Sequence, residues 1–232
     1  MLEIRPAEAR GHVSLDWLDS HHTFSFGEYH DPRFMGTSIL RVINDDVIAP
    51  GGGFATHGHR DMEIVTYVLD GELAHRDSMG NGSVIRPGEV QHMSAGSGVR
   101  HSEMNPSADT PVHLLQIWLL PNAQGVTPAY HQQLFPPQER RGRLALLVSP
   151  DGRAGSIATH QDGFLYGTLL RPGETVTHPL APGRRAYVHV ARGSVRVEGE
   201  TLKGGDGAFA ADLPGLRLEG VDDAEALLFD LP

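Results

Sequence analysis

Cysteine is absent from this chain. That removes disulfides, thiolate zinc sites and cysteine nucleophiles together, and it fits a reducing compartment. No apolar run is long enough to cross a bilayer, and the opening residues Met1-Leu2-Glu3-Ile4-Arg5-Pro6 carry no apolar secretory segment. A basic face is missing as well. The formal net charge is -10, and the only basic clusters, Arg140-Arg141-Arg143 and Arg184-Arg185, lie in turn-like sequence. Direct nucleic-acid binding rests on a positive footprint, so none is expected. The expectation is a soluble, cytoplasmic monomer with no membrane contact. Apolar stripes at helical period are scarce too, which argues against a helical fold.

What the chain has instead is turns. Gly 28 and Pro 16 are high for 232 residues, while 39% hydrophobic residues suffice for a core. Strand-like runs fall at 38–43, 63–69, 82–85, 90–94, 112–119, 144–148, 164–170, 186–191, 194–198 and 226–231. Between them sit turn pairs such as Asp70-Gly71, Asn81-Gly82, Pro87-Gly88, Pro172-Gly173 and Arg192-Gly193. Short strands at regular spacing predict an all-β fold of the antiparallel barrel or jelly-roll type. Helix is expected only as a short piece around 138–141.

The two halves look alike. Tyr67-Val68-Leu69-Asp70-Gly71-Glu72 parallels Val188-His189-Val190-Ala191-Arg192-Gly193-Ser194, and Pro87-Gly88-Glu89 is echoed by Gly204-Gly205-Asp206. His57 lies fourteen residues before Gly71 and His178 fifteen before Gly193. Two copies of one β-barrel motif account for this. The division expected is an N-terminal barrel at 1–125, a Pro- and Gln-rich linker at 126–142 and a C-terminal barrel at 143–232. His178-Pro179-Leu180 stands where His57-Gly58-His59 stood, and Leu216-Arg217-Leu218 offers no ligand, so the second copy is expected to lack metal ligands.

The chemistry concentrates between Gly51 and Asn105. His57-Gly58-His59 and His101-Ser102-Glu103 are two pairs at alternating spacing, and in a strand residues i and i+2 project to one face. Side by side, the strands would converge three imidazoles and a carboxylate on one point. Of the 14 His in the chain, isolated ones such as His75, His92, His113 and His131 read as surface or hydrogen-bonded residues. His21-His22 are adjacent, point apart in a strand, and read as loop or packing residues. Gly51-Gly52-Gly53 lacks the Lys and helix of a phosphate loop and reads as a turn.

Gly51-x5-His57-x-His59-x3-Glu63 resembles the first cupin motif, and Gly98-x2-His101-x3-Asn105 resembles the end of the second. Several blocks closely resemble the pirin family of bicupins. They are Phe24-Ser25-Phe26, the run from His59 to Val68, the run from Asp77 to Asn81, the run from Met93 to Glu103, and Gln116-Ile117-Trp118. The resemblance is specific over roughly the first 120 residues and only architectural beyond. It implies two cupin barrels with one metal in the N-terminal barrel, held by His57, His59, His101 and Glu103. In the general motif the glutamate falls six residues before the turn glycine, whereas seven residues separate Glu63 from Gly71. A bulge is required between them, so Glu103 is preferred as fourth ligand and Glu63 is placed behind the ligands or as its alternative.

Three imidazoles and a carboxylate suit a divalent transition metal with open coordination positions. Iron(II) is the first choice, with Mn, Ni, Cu, Co and Zn as alternatives. The resemblance implies a quercetin 2,3-dioxygenase-type oxidoreductase acting on an aromatic flavonol and O2, with Glu103 as catalytic base as well as ligand. The other function known in the family is a non-enzymatic, metal-binding and redox-responsive regulatory protein.

Overall fold

A computed structural model of the chain describes all residues, Met1–Pro232. Glycine and proline cut the chain into short strands. The first six are β1 (Leu2–Arg5), β2 (Gly11–Leu15), β3 (Leu18–His22), β4 (Leu40–Ile48), β5 (Gly53–His59) and β6 (Glu63–Asp70). Then come β7 (Leu73–Asp77), β8 (Gly82–Ile85), β9 (Glu89–Ser94), β10 (Val99–Met104), β11 (Val112–Leu119) and β12 (Ala129–Leu134). A single helical turn, α1 (Pro137–Arg140), precedes β13 (Ala145–Ser149), β14 (Ile157–Ala158), β15 (Phe164–Leu170), β16 (Thr175–Pro179) and β17 (Arg185–Arg192). The last are β18 (Ser194–Val197), β19 (Glu200–Lys203), β20 (Gly207–Ala211), β21 (Gly215–Gly220) and β22 (Ala224–Leu231). No helix is long and apolar enough to cross a membrane.

The strands form two compact units. The unit of Gly11–Leu134 with Thr159–Gln161 holds a seven-stranded sheet in the order β12-β9-β6-β11-β4-β3-β2 and a four-stranded sheet in the order β5-β10-β7-β8. Ile48, Val68, Leu73, Ile85, Val112 and Leu114 come from both sheets and form one buried cluster between them. Each such fully buried aliphatic side chain contributes roughly 1.5–3 kcal/mol. Phe54 of β5, the strand that carries His57 and His59, packs against that cluster.

The unit of Met1–Arg10, Phe135–Ala158 and Asp162–Pro232 repeats the pattern with sheets β1-β20-β17-β22-β15-β13-β14 and β16-β21-β18-β19. Its interior is filled by aliphatic residues including Val176, Val188, Val195, Val197, Leu202, Leu216, Leu218 and Leu228.

The repeat extends to local irregularities. In the first unit His113 pairs with Asp70 and Leu114 with Val68, so Leu69 is an extra residue in β6. In the second, Val190 pairs with Ala226 and Arg192 with Glu225, so Ala191 is the extra residue in β17. A glycine with positive φ follows two residues later in each, Gly71 at 74° and Gly193 at 67°. A Cβ would lie 2.5 Å from the Pro111 carbonyl oxygen at Gly71 and 2.2 Å from that of Asp223 at Gly193, so neither turn tolerates a side chain. The bulge at Leu69 is the one the Glu63–Gly71 spacing requires.

Two features depart from the sequence reading. Residues 126–142 are not a bare linker, since β12 pairs with β9 across Ala129↔Ser94 to Leu134↔Glu89. Its alternation is hidden because Tyr130, His131, Gln132 and Gln133 give both faces polar groups, as an edge strand allows. The N-terminal strand β1 pairs with β20, Leu2 opposite Ala210, and therefore groups with the C-terminal sheet. The boundaries read from sequence take no account of that exchange.

Candidate metal centre

β5 and β10 run antiparallel with His57 opposite His101 and His59 opposite Val99. His101 Nε2 lies 3.0 Å from His57 Nε2 and 3.0 Å from His59 Nε2. Adjacent ligands of an octahedral ion with bonds of about 2.1 Å stand about 3.0 Å apart, because the edge is the bond length times √2. Both spacings fit an edge of an octahedron better than the wider edge of a tetrahedron.

Protonation agrees. Burial, reinforced by the neighbouring imidazoles, lowers His59 to about 4 and His101 to about 3, so both are neutral near pH 7 and offer lone pairs. His57 Nδ1 donates to the Ala55 carbonyl at 2.8 Å, which leaves its Nε2 lone pair directed at His101. Lone pairs that face one another at 3.0 Å repel unless a cation lies among them. The donor set therefore fits a divalent transition metal.

Behind His101 runs a second layer that the sequence reading missed. His101 Nδ1 is 3.5 Å from His75 Nδ1, and His75 Nε2 donates to Asp77 Oδ2 at 3.1 Å. Asp77 is itself fixed by the backbone N–H groups of Met79 and Asn81 and by the Asn81 amide. Tyr130 stacks on His75 with centroids 4.8 Å apart. With Asp77 taking the His75 Nε2 proton, His75 Nδ1 is left to accept from His101 Nδ1, and the lone pair of His101 stays on Nε2. Such partners fix tautomer and ring orientation in metal sites. The signal was present as His75-x-Asp77, a pair at strand spacing.

Glu103 lies two residues from His101, and the β5–β10 register slips between them so that Glu103 faces Phe54. Its carboxylate is fully buried and accepts from Gln116 Nε2 at 2.9 Å, with Thr66 Oγ1 at 3.4 Å. Burial first, and Asp46 second, push it up to about 7, against the pull of those hydrogen bonds. A cation beside it favours the ionised form. The ligand atoms of His57, His59 and His101 all lie within 4.8 Å of one another, and Glu103 forms such a group with His101 and His75. Three imidazoles are thus brought together, and Glu103 is linked to them through His101.

Glu63 goes elsewhere. It accepts from His92 at 2.7 Å, Ser94 at 2.6 Å and Thr159 at 2.7 Å. Burial would raise its pKa, but those donors more than offset it and hold the carboxylate at about 2. It ties β6 and β9 to residues 159–161 and is spent as a structural anchor. Of the remaining histidines, His113 bonds Asp45 at 2.6 Å, His131 stacks near His92, and His12 and His21 share Asp19 on the exposed β2–β3 hairpin. His21 and His22 lie in β3 rather than in a loop, and point apart as adjacent strand residues do.

A cavity of about 540 Å³ opens on His57, His59 and Glu103. Trp17, Phe26, Phe54 and Trp118 form its apolar walls, and Asn44, Asp46 and Gln116 its polar side. Trp17 meets Phe54 and Phe26 meets Trp118 edge to face, at 5.2 and 5.3 Å. The polar side follows from register. Asn44 pairs with Gln116, Gln116 with Thr66 and Thr66 with Gln91, a row of polar residues across four strands that otherwise supply core. Nothing in the local sequence distinguishes that row.

In the C-terminal unit, β16 and β21 place His178 opposite Leu216. His178 Nε2 bonds Asp230 Oδ2 at 2.8 Å, and Asp230 also holds Arg184.

Comparison with known proteins agrees with this geometry. The sequence model described as Pirin matches residues 3–119, and that described as Quercetinase C-terminal cupin domain matches residues 146–231. A quercetin 2,3-dioxygenase of Escherichia coli K12 is 48% identical over 232 residues, covering 100% of this chain and 99% of its own. The crystal structure of the bacterial pirin YhhW from Escherichia coli in complex with nickel(II) superposes with a TM-score of 0.95 at 48% identity, covering 100% of this chain and 99% of that one. A quercetin 2,3-dioxygenase from Acinetobacter baumannii, 21% identical with a TM-score of 0.75 over 98% of this chain and 85% of its own, shares the fold. Two cupin halves, a histidine cluster in the first and full-length relatives at this identity lead to one conclusion: the chain belongs to the pirin family.

Proposed function

We propose that this protein is a metal-dependent dioxygenase that cleaves flavonols such as quercetin, at a site in the N-terminal of two cupin barrels. The observation that carries the reading is the cavity. A regulator would need only a buried ion, whereas here His57 and His59 of the cluster face an aromatic-walled space of about 540 Å³, within the usual size of a small-molecule site. His57, His59 and His101 would hold the metal, with Glu103 as fourth ligand, and iron(II) is the ion proposed. Bound there, a divalent transition metal would supply the redox and Lewis-acid chemistry that lets O2 react with an electron-rich enolate.

The chain's own residues do the rest. Trp17, Phe26, Phe54 and Trp118 line a space for a planar, largely apolar molecule. Glu103, oriented by Gln116, takes the proton of the 3-hydroxyl on a carboxylate oxygen and so acts as general base. In the net reaction two carbon–carbon bonds of the central ring break. Both atoms of O2 enter the product as ester and acid oxygens, and the intervening carbon leaves as carbon monoxide. All these residues come from one chain, so a monomer is a sufficient catalytic unit.

The test is oxygen uptake and carbon monoxide release with quercetin, using protein stripped of metal and reloaded separately with Fe, Mn, Co, Ni, Cu or Zn ions. Activity is expected with at least one ion and lost on chelation. Glu103→Gln should keep part of its metal while losing about two or more decades in rate. Absence of oxygen uptake with every ion would overturn the assignment, and a fully active Glu103→Gln would overturn the role of the base.

A further inference from the structure

We propose that Asn44, Asp46 and Trp118 form a hydrogen-bonding subsite that selects aromatic substrates bearing a second hydroxyl, in addition to the one that meets the histidines and Glu103. The inference rests on the dioxygenase reading for the class of substrate, and it adds which members of the class are taken.

Asn44 and Asp46 are two apart on β4, so both side chains leave the same face of the strand. That face is the cavity wall, and both residues line it. They are deeply buried, at 4% and 2% exposure, in a strand whose neighbours Val42, Ile43 and Ile48 are core. Buried polar residues in such a position are ordinarily saturated with protein partners. These are not. Asn44 Oδ1 is buried and accepts no hydrogen bond, and Trp118 Nε1 is buried and donates none. Two residues that line the cavity therefore carry one unused acceptor and one unused donor, which a ligand must press against to reach, in walls that are otherwise mostly aromatic. Asp46 accepts from the Ser20 hydroxyl across β3 and β4, which fixes the orientation of its carboxyl in the wall.

A phenolic hydroxyl is both donor and acceptor, so it can complete Asn44 and Trp118. A purely apolar ligand would leave both dry and unpaired, which weakens its binding. Sites built to bond a hydroxyl reject analogues that lack it far more strongly than apolar pockets reject an added group. Glu103 and Gln116 complete the polar lining, but their hydrogen bond to each other is already made. Selection then falls to the β4 pair and the indole.

The chain contains Trp 2 in all, and both tryptophans, Trp17 and Trp118, line this cavity. Intrinsic fluorescence therefore reads occupancy without turnover. The experiment titrates metal-loaded protein, in the absence of O2, with quercetin and with 3-hydroxyflavone, which keeps the 3-hydroxyl and 4-carbonyl but has no other hydroxyl. The parent should bind quercetin about tenfold or more tightly than 3-hydroxyflavone. Asn44→Leu and Trp118→Phe should each weaken quercetin by about five- to tenfold and affect 3-hydroxyflavone far less, with metal content unchanged. A parent ratio near one, or variants that leave the ratio intact, would overturn the subsite and assign these atoms to water. The parent's own ranking of the two ligands decides the matter even if a variant fails to fold. Selective binding without oxygen uptake would sink the dioxygenase reading and keep the subsite. Oxygen uptake without selectivity would do the reverse.

Discussion

His57 faces His101 across β5 and β10, while His178 faces Leu216 across β16 and β21, at matching places in two units with the same strand order. Two residues further along, Glu103 in the first unit is matched by Leu218 in the second. The C-terminal unit completes its core with those leucines. The N-terminal unit leaves the same space polar, lined with groups whose burial pushes histidines down and a carboxyl up in pKa. The barrel therefore needs no metal centre to close. The polar interior is a departure from the best-packed version of the fold, of the kind expected where function overrides packing.

The comparison is most directly broken by moving ligands. His57→Ala or His101→Ala should lose most bound metal, a fall of two decades or more in affinity, since deleting a ligand should exceed the roughly 10–100-fold loss typical of supporting partners. His178→Ala should leave metal content untouched, and a second equivalent of metal at His178, measured by elemental analysis, would refute the contrast. Next in size is His75→Ala, which removes none of the proposed ligands but frees the His101 ring. It should weaken metal binding by about 10–100-fold, read by competition with a chelator, and a variant with parental affinity would remove His75 from the site.

A stability experiment separates the units further. Asp230→Ala strips His178 and Arg184 of their shared acceptor and should destabilise the C-terminal unit by about 1–3 kcal/mol, without loss of metal. Denaturant melts with metal content measured in parallel would show whether the two effects separate. The smallest effect concerns pH. Glu103 has a folded pKa of about 7, above its unfolded value, so the folded metal-free state keeps a proton that the unfolded chain gives up. Its contribution is fully present below the unfolded value near 4.5 and is lost as pH rises through about 7. Metal-free Glu103→Gln should accordingly gain a few degrees in Tm over the parent at pH 8 and little at pH 5. Parallel curves at the two pH values would contradict the burial of that charge.

The repeat and the histidine cluster were legible in the sequence because they are written in local periodicities. Alternate spacing in a strand put His57 with His59 and His101 with Glu103, and turn glycines at Gly71 and Gly193 marked the same corner twice. The off-by-one count between Glu63 and Gly71 forecast a bulge, which falls at Leu69. What stayed hidden depends on partners distant in the chain. Glu63 is satisfied by His92, Ser94 and Thr159, so no reading of its own neighbourhood could place it. Asn44 enters the cavity wall because it pairs with Gln116, 72 positions away in β11. β12 escaped notice because an edge strand with two polar faces carries no alternation.

The placement of β1 has a bearing on how the molecule can be assembled. Its residues are made first, yet their partner β20 follows some two hundred positions later, with Leu2 opposite Ala210. Thr159, which completes the Glu63 anchor, is also made well after the strands it braces. A chain halted between the halves would therefore carry one orphan strand with an open backbone edge and one buried carboxylate short of a donor. Neither half is a severable module, and a simple cut near residue 125 or 143 would yield fragments that are sticky rather than independent.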